Sequence, residues 1–282
     1  HTRYIGDWSS DVCSSDLYLG GSKGKSFHTE EIISYFVIEA GKHELKDGSI
    51  FLAKSEGQKR HPSNPSTKAN SWSSTINFTG ANFQEVPVLF GQSQTYSGSD
   101  FITTRTKNVT KTGFQYSFQE EEGKGAHPAH EVFSWMAYSG GQSISGGIKI
   151  EGKVLPTSFT HVPSKQAFLN DYSATPFLLT GLRSFEGSDP AFARNRDLNT
   201  DSFTVALQEE SSATGGLEHV AESIHYLAIE TSTAPTIEAA TKEFDENLNT
   251  DSQVHVIDLE DLYTKKDEDP DGEAIAYSFK SP

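Results

Sequence analysis

The sequence predicts an all-β protein made of tandem antiparallel six-stranded β-sandwich domains, and three observations carry that expectation. The first is repetition. Residues 87–121 align without a gap with residues 176–210, so Gly98, Ser99, Asp100, Arg105, Phe114, Gln119, Glu120 and Glu121 fall on Gly187, Ser188, Asp189, Arg194, Phe203, Gln208, Glu209 and Glu210. The second is alternation: Phe114-Gln-Tyr-Ser-Phe118 and Phe203-Thr-Val-Ala-Leu207 keep apolar residues two apart, the period of a half-buried strand. The third is composition, since 18 Phe, 10 Tyr and 23 Gly beside a single Met suit twisted sheets joined by tight turns.

The elements follow in chain order. Residues 7–17 resemble an in-frame translation of a sequencing-library adapter, so 1–17 are set apart from the fold, and with them goes Cys13, the only cysteine. Without it there is neither a disulfide framework nor thiol chemistry. Residues 18–40 read as the end of a truncated repeat, because His28-Thr-Glu-Glu31 and Ile32-Ile-Ser-Tyr35-Phe-Val-Ile-Glu39 repeat the pattern of His219 to Glu230. The same ending recurs at Glu131-Val-Phe-Ser-Trp-Met-Ala137, giving periods of 100 and then 91 residues, each long enough for a whole small domain. The two complete copies are placed at 41–141 and 142–232. Within each, a short strand (50–54; 148–152) leads through a polar connection to a strand near Phe78 or Phe168 and then a Pro-containing strand. A Gly-Ser-Asp turn follows, then strands at 101–109, 113–120 and 131–139 and their equivalents. Residues 233–252 form an acidic linker, and 253–282 open a new strand at Val254-His-Val-Ile-Asp-Leu259.

Charge excludes several functions. The net charge is -16, and residues 234–282 hold 13 acidic side chains against Lys242, Lys265, Lys266 and Lys280. Nucleic acid would require a basic stripe, and anionic lipid head groups would repel such a tail. No apolar run approaches the roughly 18 residues of a membrane-spanning helix. No Gly-x-Ser-x-Gly, phosphate loop or Ser/Lys pair at helical spacing occurs. Glu120-Glu121 and Glu209-Glu210 are adjacent in strands and so point to opposite faces, not toward one glycosidic bond. The chain is therefore expected not to be an enzyme.

The spacing of Ile76-Asn-Phe78, Phe83, Val86-Pro-Val88, Arg105, Val109, Thr112-Gly-Phe114 and Ser134-Trp-Met-Ala137 resembles the H-type lectin family over most of 48–139 and, less fully, 148–230, where Ser202-Phe203 replaces Gly-Phe. That resemblance implies six-stranded sandwiches, homotrimeric assembly, and binding of N-acetylgalactosamine or related glycans through an Asp, an Arg and a His near a subunit interface. The Arg carries over as Arg105 and Arg194, whereas Glu122 and Ser211 stand where the family's His is expected. Asp267-Glu-Asp-Pro-Asp-Gly-Glu-Ala-Ile-Ala-Tyr-Ser278 resembles the start of bacterial cadherin-like domains.

The candidate carbohydrate-binding residues are Arg105, Arg194, Asp100, Asp189, Tyr96 and Phe185. A guanidinium offers fixed donors to paired hydroxyls or a carboxylate, and an aromatic ring stacks on a sugar. The competing reading pairs each Arg across its sheet with Glu120 or Glu121, assigns Gly-Ser-Asp to turn chemistry, and puts the aromatics in the core. Ca2+ is the expected cation, held by Asp267, Asp269, Asp271 and Glu273 on alternate positions of a tight turn. Zinc is disfavoured, because His219 and Glu222 would face opposite sides of a strand unless a loop joins them. The leading expectation is a non-catalytic adhesion module of a large bacterial surface or secreted protein, its partners glycans or glycoconjugates and not nucleic acid or membrane. The alternative is a structural stalk with no ligand.

Overall fold

The computed structural model describes residues 3–7, 35–61, 72–95, 97–98, 102–120, 127–209, 218–230, 253–256 and 278–281. Every element among them is a strand, in keeping with the all-β expectation. An N-terminal antiparallel pair joins β1 (Arg3–Asp7) to β2 (Tyr35–Glu39). Repeat 1 follows with β3 (Gly41–Glu44), β4 (Ile50–His61), β5 (Ile76–Asn77), β6 (Val88–Ser93), β7 (Ile102–Lys107), β8 (Gly113–Glu120) and β9 (His127–Tyr138). Repeat 2 has β10 (Gly141–Ser145), β11 (Ile148–Phe159), β12 (Ser164–Ala167), β13 (Phe177–Leu182), β14 (Ala191–Arg196), β15 (Ser202–Glu209) and β16 (Glu222–Ile229). A last pair is formed by β17 (Gln253–Val256) and β18 (Ser278–Ser281).

Each repeat is a sandwich of a four-stranded and a three-stranded sheet, in the order β3-β4-β9-β6 with β5-β8-β7, and β10-β11-β16-β13 with β12-β15-β14. Each thus has seven strands where the sequence suggests six. The added strand is a hairpin partner, β3 or β10, whose polar sequence (Gly-Lys-His-Glu; Gly-Gln-Ser-Ile-Ser) hides its strand character. Ser145 and Ile148 face each other across Gly146 and Gly147, both at positive φ (56° and 85°), the conformation a two-residue hairpin loop requires and glycine accommodates without strain.

Three apolar cores result from these four sheets. Leu52, Phe114, Tyr116, Phe133 and Trp135 fill repeat 1, with Tyr116 stacked on Phe133 at 3.6 Å between ring centroids. Leu155, Phe203, Val205, Ile224 and Tyr226 fill repeat 2. The third core belongs to neither repeat. Phe51, Val88, Phe90, Met136 and Tyr138 of repeat 1 meet Ile150, Phe177, Leu179, Leu227 and Ile229 of repeat 2, together with Phe36 and Ile38 of β2. The two four-stranded sheets therefore pack against each other, and β9 and β16 bury both faces. On β9, Phe133, Trp135 and Ala137 enter their own core while Met136 and Tyr138 enter the shared one, as period-two geometry demands.

The connection between repeats is as short as the packing is close. Ser139 and Gly140 alone separate β9 from β10, and Ala40 alone separates β2 from β3. Gly152 faces the neighbour so closely that a Cβ there would lie 2.8 Å from Tyr138 and 3.1 Å from Val88.

Candidate functional site

Arg105 and Gln119 of repeat 1 meet the Gly187-Ser-Asp189 segment of repeat 2 where the two sandwiches join. Arg105 projects from β7 and is fully buried, at 0% exposure. Its Nη2 donates to Glu222 Oε1 of repeat 2 at 2.7 Å, and its Nη1 donates to Gln119 Oε1 (3.1 Å) and to the main-chain oxygen of Asp189 (3.0 Å). The guanidinium carbon lies 4.7 Å above the ring of Phe185. The carboxylate that Arg105 meets here lies 117 residues downstream, in the following repeat.

Glu222, the first residue of β16, sits in a socket of donors. It accepts from the amides of Glu186 and Gly187 (3.1 Å each), from the Ser184 hydroxyl, from His219 Nε2 (3.1 Å) and from Arg105. Burial alone would raise its pKa. The hydrogen bond from His219, the Arg105 charge, and the Ser184 and Gly187 donors outweigh burial and hold it at about 2. His219 lies in the loop before β16, and its Nδ1 reaches Glu209 at 2.7 Å. Burial would lower the imidazole pKa, but hydrogen bonds to Glu222 and Glu209 raise it above the ordinary value. Both ring nitrogens face carboxylates, so the cluster sets the Arg105 guanidinium and the His219 imidazole among the carboxylates of Glu222 and Glu209.

Gly187 has its place in this geometry: a Cβ there would fall 2.5 Å from the His219 ring. The recurrent Gly-Ser-Asp segment therefore presents amides to a carboxylate. Repeat 1 does the same with Glu131, which accepts from Ser97 N and Gly98 N (2.9 Å each) and from the Thr95 hydroxyl. These two glutamates are the site residues that sequence reasoning missed. Their signal was present, because the aligned repeat endings both begin with them.

The structure brings Arg105, Phe185 and Asp189 together, with the Asp189 side chain exposed. Arg194, half-buried on β14, donates to Gln208 at 2.8 Å as Arg105 does to Gln119. Tyr96 and Asp100 lie outside the described residues, as do Asp267, Asp269, Asp271 and Glu273. Among the described residues no group of three His, Cys, Asp or Glu side chains is arranged to hold a metal ion. The loop that precedes β16 does bring His219 to Glu222, but there Arg105 occupies the position of a cation.

Further contacts tie the repeats together around this cluster. Gln119 Nε2 donates to the Ser188 oxygen (2.6 Å), Thr106 Oγ1 to the Leu182 oxygen (3.3 Å), and Arg183 Nη2 to the Val109 oxygen (3.1 Å). Trp72 of repeat 1 meets Phe185 of repeat 2 edge-on at 5.0 Å, with the Lys107 ammonium 4.0 Å from the Trp72 ring centroid.

No protein-family model matches the chain. No solved structure matches it significantly either. The chain is similar to halomucin of Haloquadratum walsbyi (strain DSM 16790 / HBSQ001), 26% identical over 225 residues, a match that covers 74% of this chain and 2% of halomucin. The chain therefore spans a small fraction of the length of that relative.

Proposed function

We propose that this chain is a rigid, non-catalytic β-sandwich stretch of a very long extracellular surface polypeptide, in which each repeat is fixed against the next and the stretch acts as a stiff spacer. The observation that carries this reading is the burial of Arg105 in the joint, with its charge committed to Glu222 of the following repeat. A guanidinium at 0% exposure has no face to offer a glycan. The shared apolar core and the two-residue connection support the same reading, because independent beads on a chain need neither. The similarity to 2% of halomucin supports the placement in a much longer chain.

Glycan binding is a second reading, favoured by one specific observation. Trp72 and Phe185, both half-buried, meet at the joint beside Lys107, and aromatic rings next to a cation suit a sugar face or an acidic sugar. Small-angle scattering and a glycan array on the same preparation separate the two. The spacer reading expects one fixed inter-repeat geometry and no bound sugar in millimolar calcium. Independently moving repeats would overturn it. Sugar binding lost on Trp72→Ala would establish the second reading.

A further inference from the structure

We propose that repeat 1 carries covalently attached carbohydrate, joined to the side-chain nitrogens of Asn77 and Asn108 at one end of its three-stranded sheet. This goes beyond the spacer reading and takes from it only the extracellular setting. Asn77-Phe78-Thr79 and Asn108-Val109-Thr110 are Asn-x-Thr tripeptides with no proline in the middle, the acceptor pattern for N-linked glycans. So short a motif arises readily by chance, and its structural setting decides what it means.

Both tripeptides have the setting an acceptor needs. Asn77, Thr79, Asn108 and Thr110 are all exposed, while the middle residues Phe78 and Val109 are anchored in the core of repeat 1 at 5% and 9% exposure. Asn77 ends β5, the edge strand of its sheet, and Asn108 opens the turn from β7 to β8. The two sites flank Gly113. Asn77 pairs with Gly113 across the sheet, the Phe78 amide donates to the Thr112 oxygen at 2.9 Å, and the Thr110 amide donates to the Gly113 oxygen at 2.9 Å.

Folding alone does not call for these residues, because repeat 2 builds the same geometry without them. Phe168 there stands for Phe78, its amide donating to the Asp201 oxygen at 2.9 Å, and its neighbours are Ala167 and Leu169. Asp197 stands for Asn108, at φ 55° against 52°. Asn199 stands for Thr110: its Oδ1 accepts from the amides of Asp201 and Ser202, as Thr110 Oγ1 accepts from those of Thr112 and Gly113. The left-handed position accepts Asp as well as Asn, and Asn closes the turn as well as Thr does. Repeat 1 alone meets these demands with Asn-x-Thr, and it has the pattern twice on one surface.

The modification is a group transfer without redox change. The asparagine nitrogen bonds to the anomeric carbon of a sugar carried on a lipid phosphate or diphosphate. The bond from that carbon to the phosphate oxygen breaks, the phosphate leaves with the electron pair, and the amide gives up one proton. A lipid-phosphate-linked glycan is therefore the co-reactant, and a separate transferase the catalyst.

Mass spectrometry of the protein secreted by its native host, beside the same chain made in a cytosol without the glycan donor, tests this. Peptides spanning Asn77 and Asn108 should carry sugar on the asparagine in the secreted protein and none in the cytosolic one. Asn77→Ala and Asn108→Asp install the residues repeat 2 has at these positions, so each should remove one glycan and leave the urea midpoint of the cytosolic chain unchanged. Thr79→Ser should keep the glycan on Asn77, and Thr79→Ala should lose it. Secreted protein with both asparagines unmodified overturns the proposal, and sugar on one alone overturns it for the other. The spacer reading fails on a different result, namely independent motion of repeats 1 and 2, which would leave the sugar on both asparagines.

Discussion

Removing the charge of Glu222 is the sharpest perturbation the joint offers. Glu222→Gln keeps the shape of the side chain while leaving the Arg105 guanidinium buried opposite a neutral amide. Two independent routes give its size. Removing one member of a fully buried ion pair costs roughly 3–5 kcal/mol, because the remaining charge has no compensation. The fall of the Glu222 pKa from 4.5 to about 2 converts to about 3 kcal/mol in favour of the folded state. The sign follows from the depressed folded-state pKa: the stabilisation is fully present above pH 4.5 and is lost as pH falls through that value toward 2. Urea denaturation should therefore show a loss of about 3 kcal/mol or more for Glu222→Gln at pH 7, and a shallower fall of stability below pH 4.5 than the unmodified chain shows. A double-mutant cycle with Arg105→Ala isolates the pair. A cost below about 1 kcal/mol, the size of an exposed surface pair, with an unchanged acid limb, would refute the assignment of Glu222 to a dry inter-repeat socket.

Two other perturbations probe the joint from its apolar side. Gly152→Ala drives a methyl group against Tyr138 and Val88 and should lower stability by about 1–3 kcal/mol in chemical denaturation, the usual cost of overpacking, although no contact within repeat 2 is lost. His225 is buried against Phe90 of repeat 1 at 4.6 Å, and burial together with the Arg183 charge presses its pKa down to about 3. A histidine kept neutral in this way loses folded-state stability as pH falls from 6.5 toward 3. His225→Leu should therefore lose less stability between pH 7 and pH 4 than the unmodified chain, as read by urea midpoints at the two pH values.

The sequence displays the strands of each sandwich because alternation reports a strand with one buried face. Phe114, Tyr116 and Phe118 on β8 show it plainly. It fails to display the shared core for the same physical reason. Glu222-Ser-Ile-His-Tyr-Leu-Ala-Ile buries every residue, so alternation disappears and the run reads merely as a hydrophobic ending. A near-continuous apolar strand is itself a mark of burial on two sides, and that signal stood in all three copies of the ending. Arg105 is visible as a recurrent residue, and its recurrence fits a ligand site and a structural ion pair equally. Its partner was not visible, because Glu222 lies in the next repeat and nothing in one chain's spacing joins the two. Glu131 and Glu222 looked like strand starts; only the turn amides that converge on them show why a carboxylate stands there.

The asymmetry of this socket yields a result that an ordinary ion pair would not give. Exchanging the charges, with Arg105→Glu and Glu222→Arg together, preserves the formal pairing, and a pair on an exposed surface would recover most of its energy. At this joint the exchange should fail. The Glu222 position receives the amides of Glu186 and Gly187, the Ser184 hydroxyl and the His219 ring, all donors. An arginine placed among them would leave those donors without acceptors, at about 1–3 kcal/mol for each buried group. The Arg105 position is complementary in the opposite sense, since Gln119 Oε1 and the Asp189 oxygen accept there and would face a glutamate with lone pairs against lone pairs. The double exchange should be no more stable than the worse single variant, measured by thermal or urea unfolding at pH 7. Recovery to within about 1 kcal/mol of the unmodified chain, as for an exposed pair, would mean that the charges matter and their surroundings do not. Failure would mean that the backbone turn after β13 and the loop before β16 are shaped around an anion that receives an arginine from the preceding repeat.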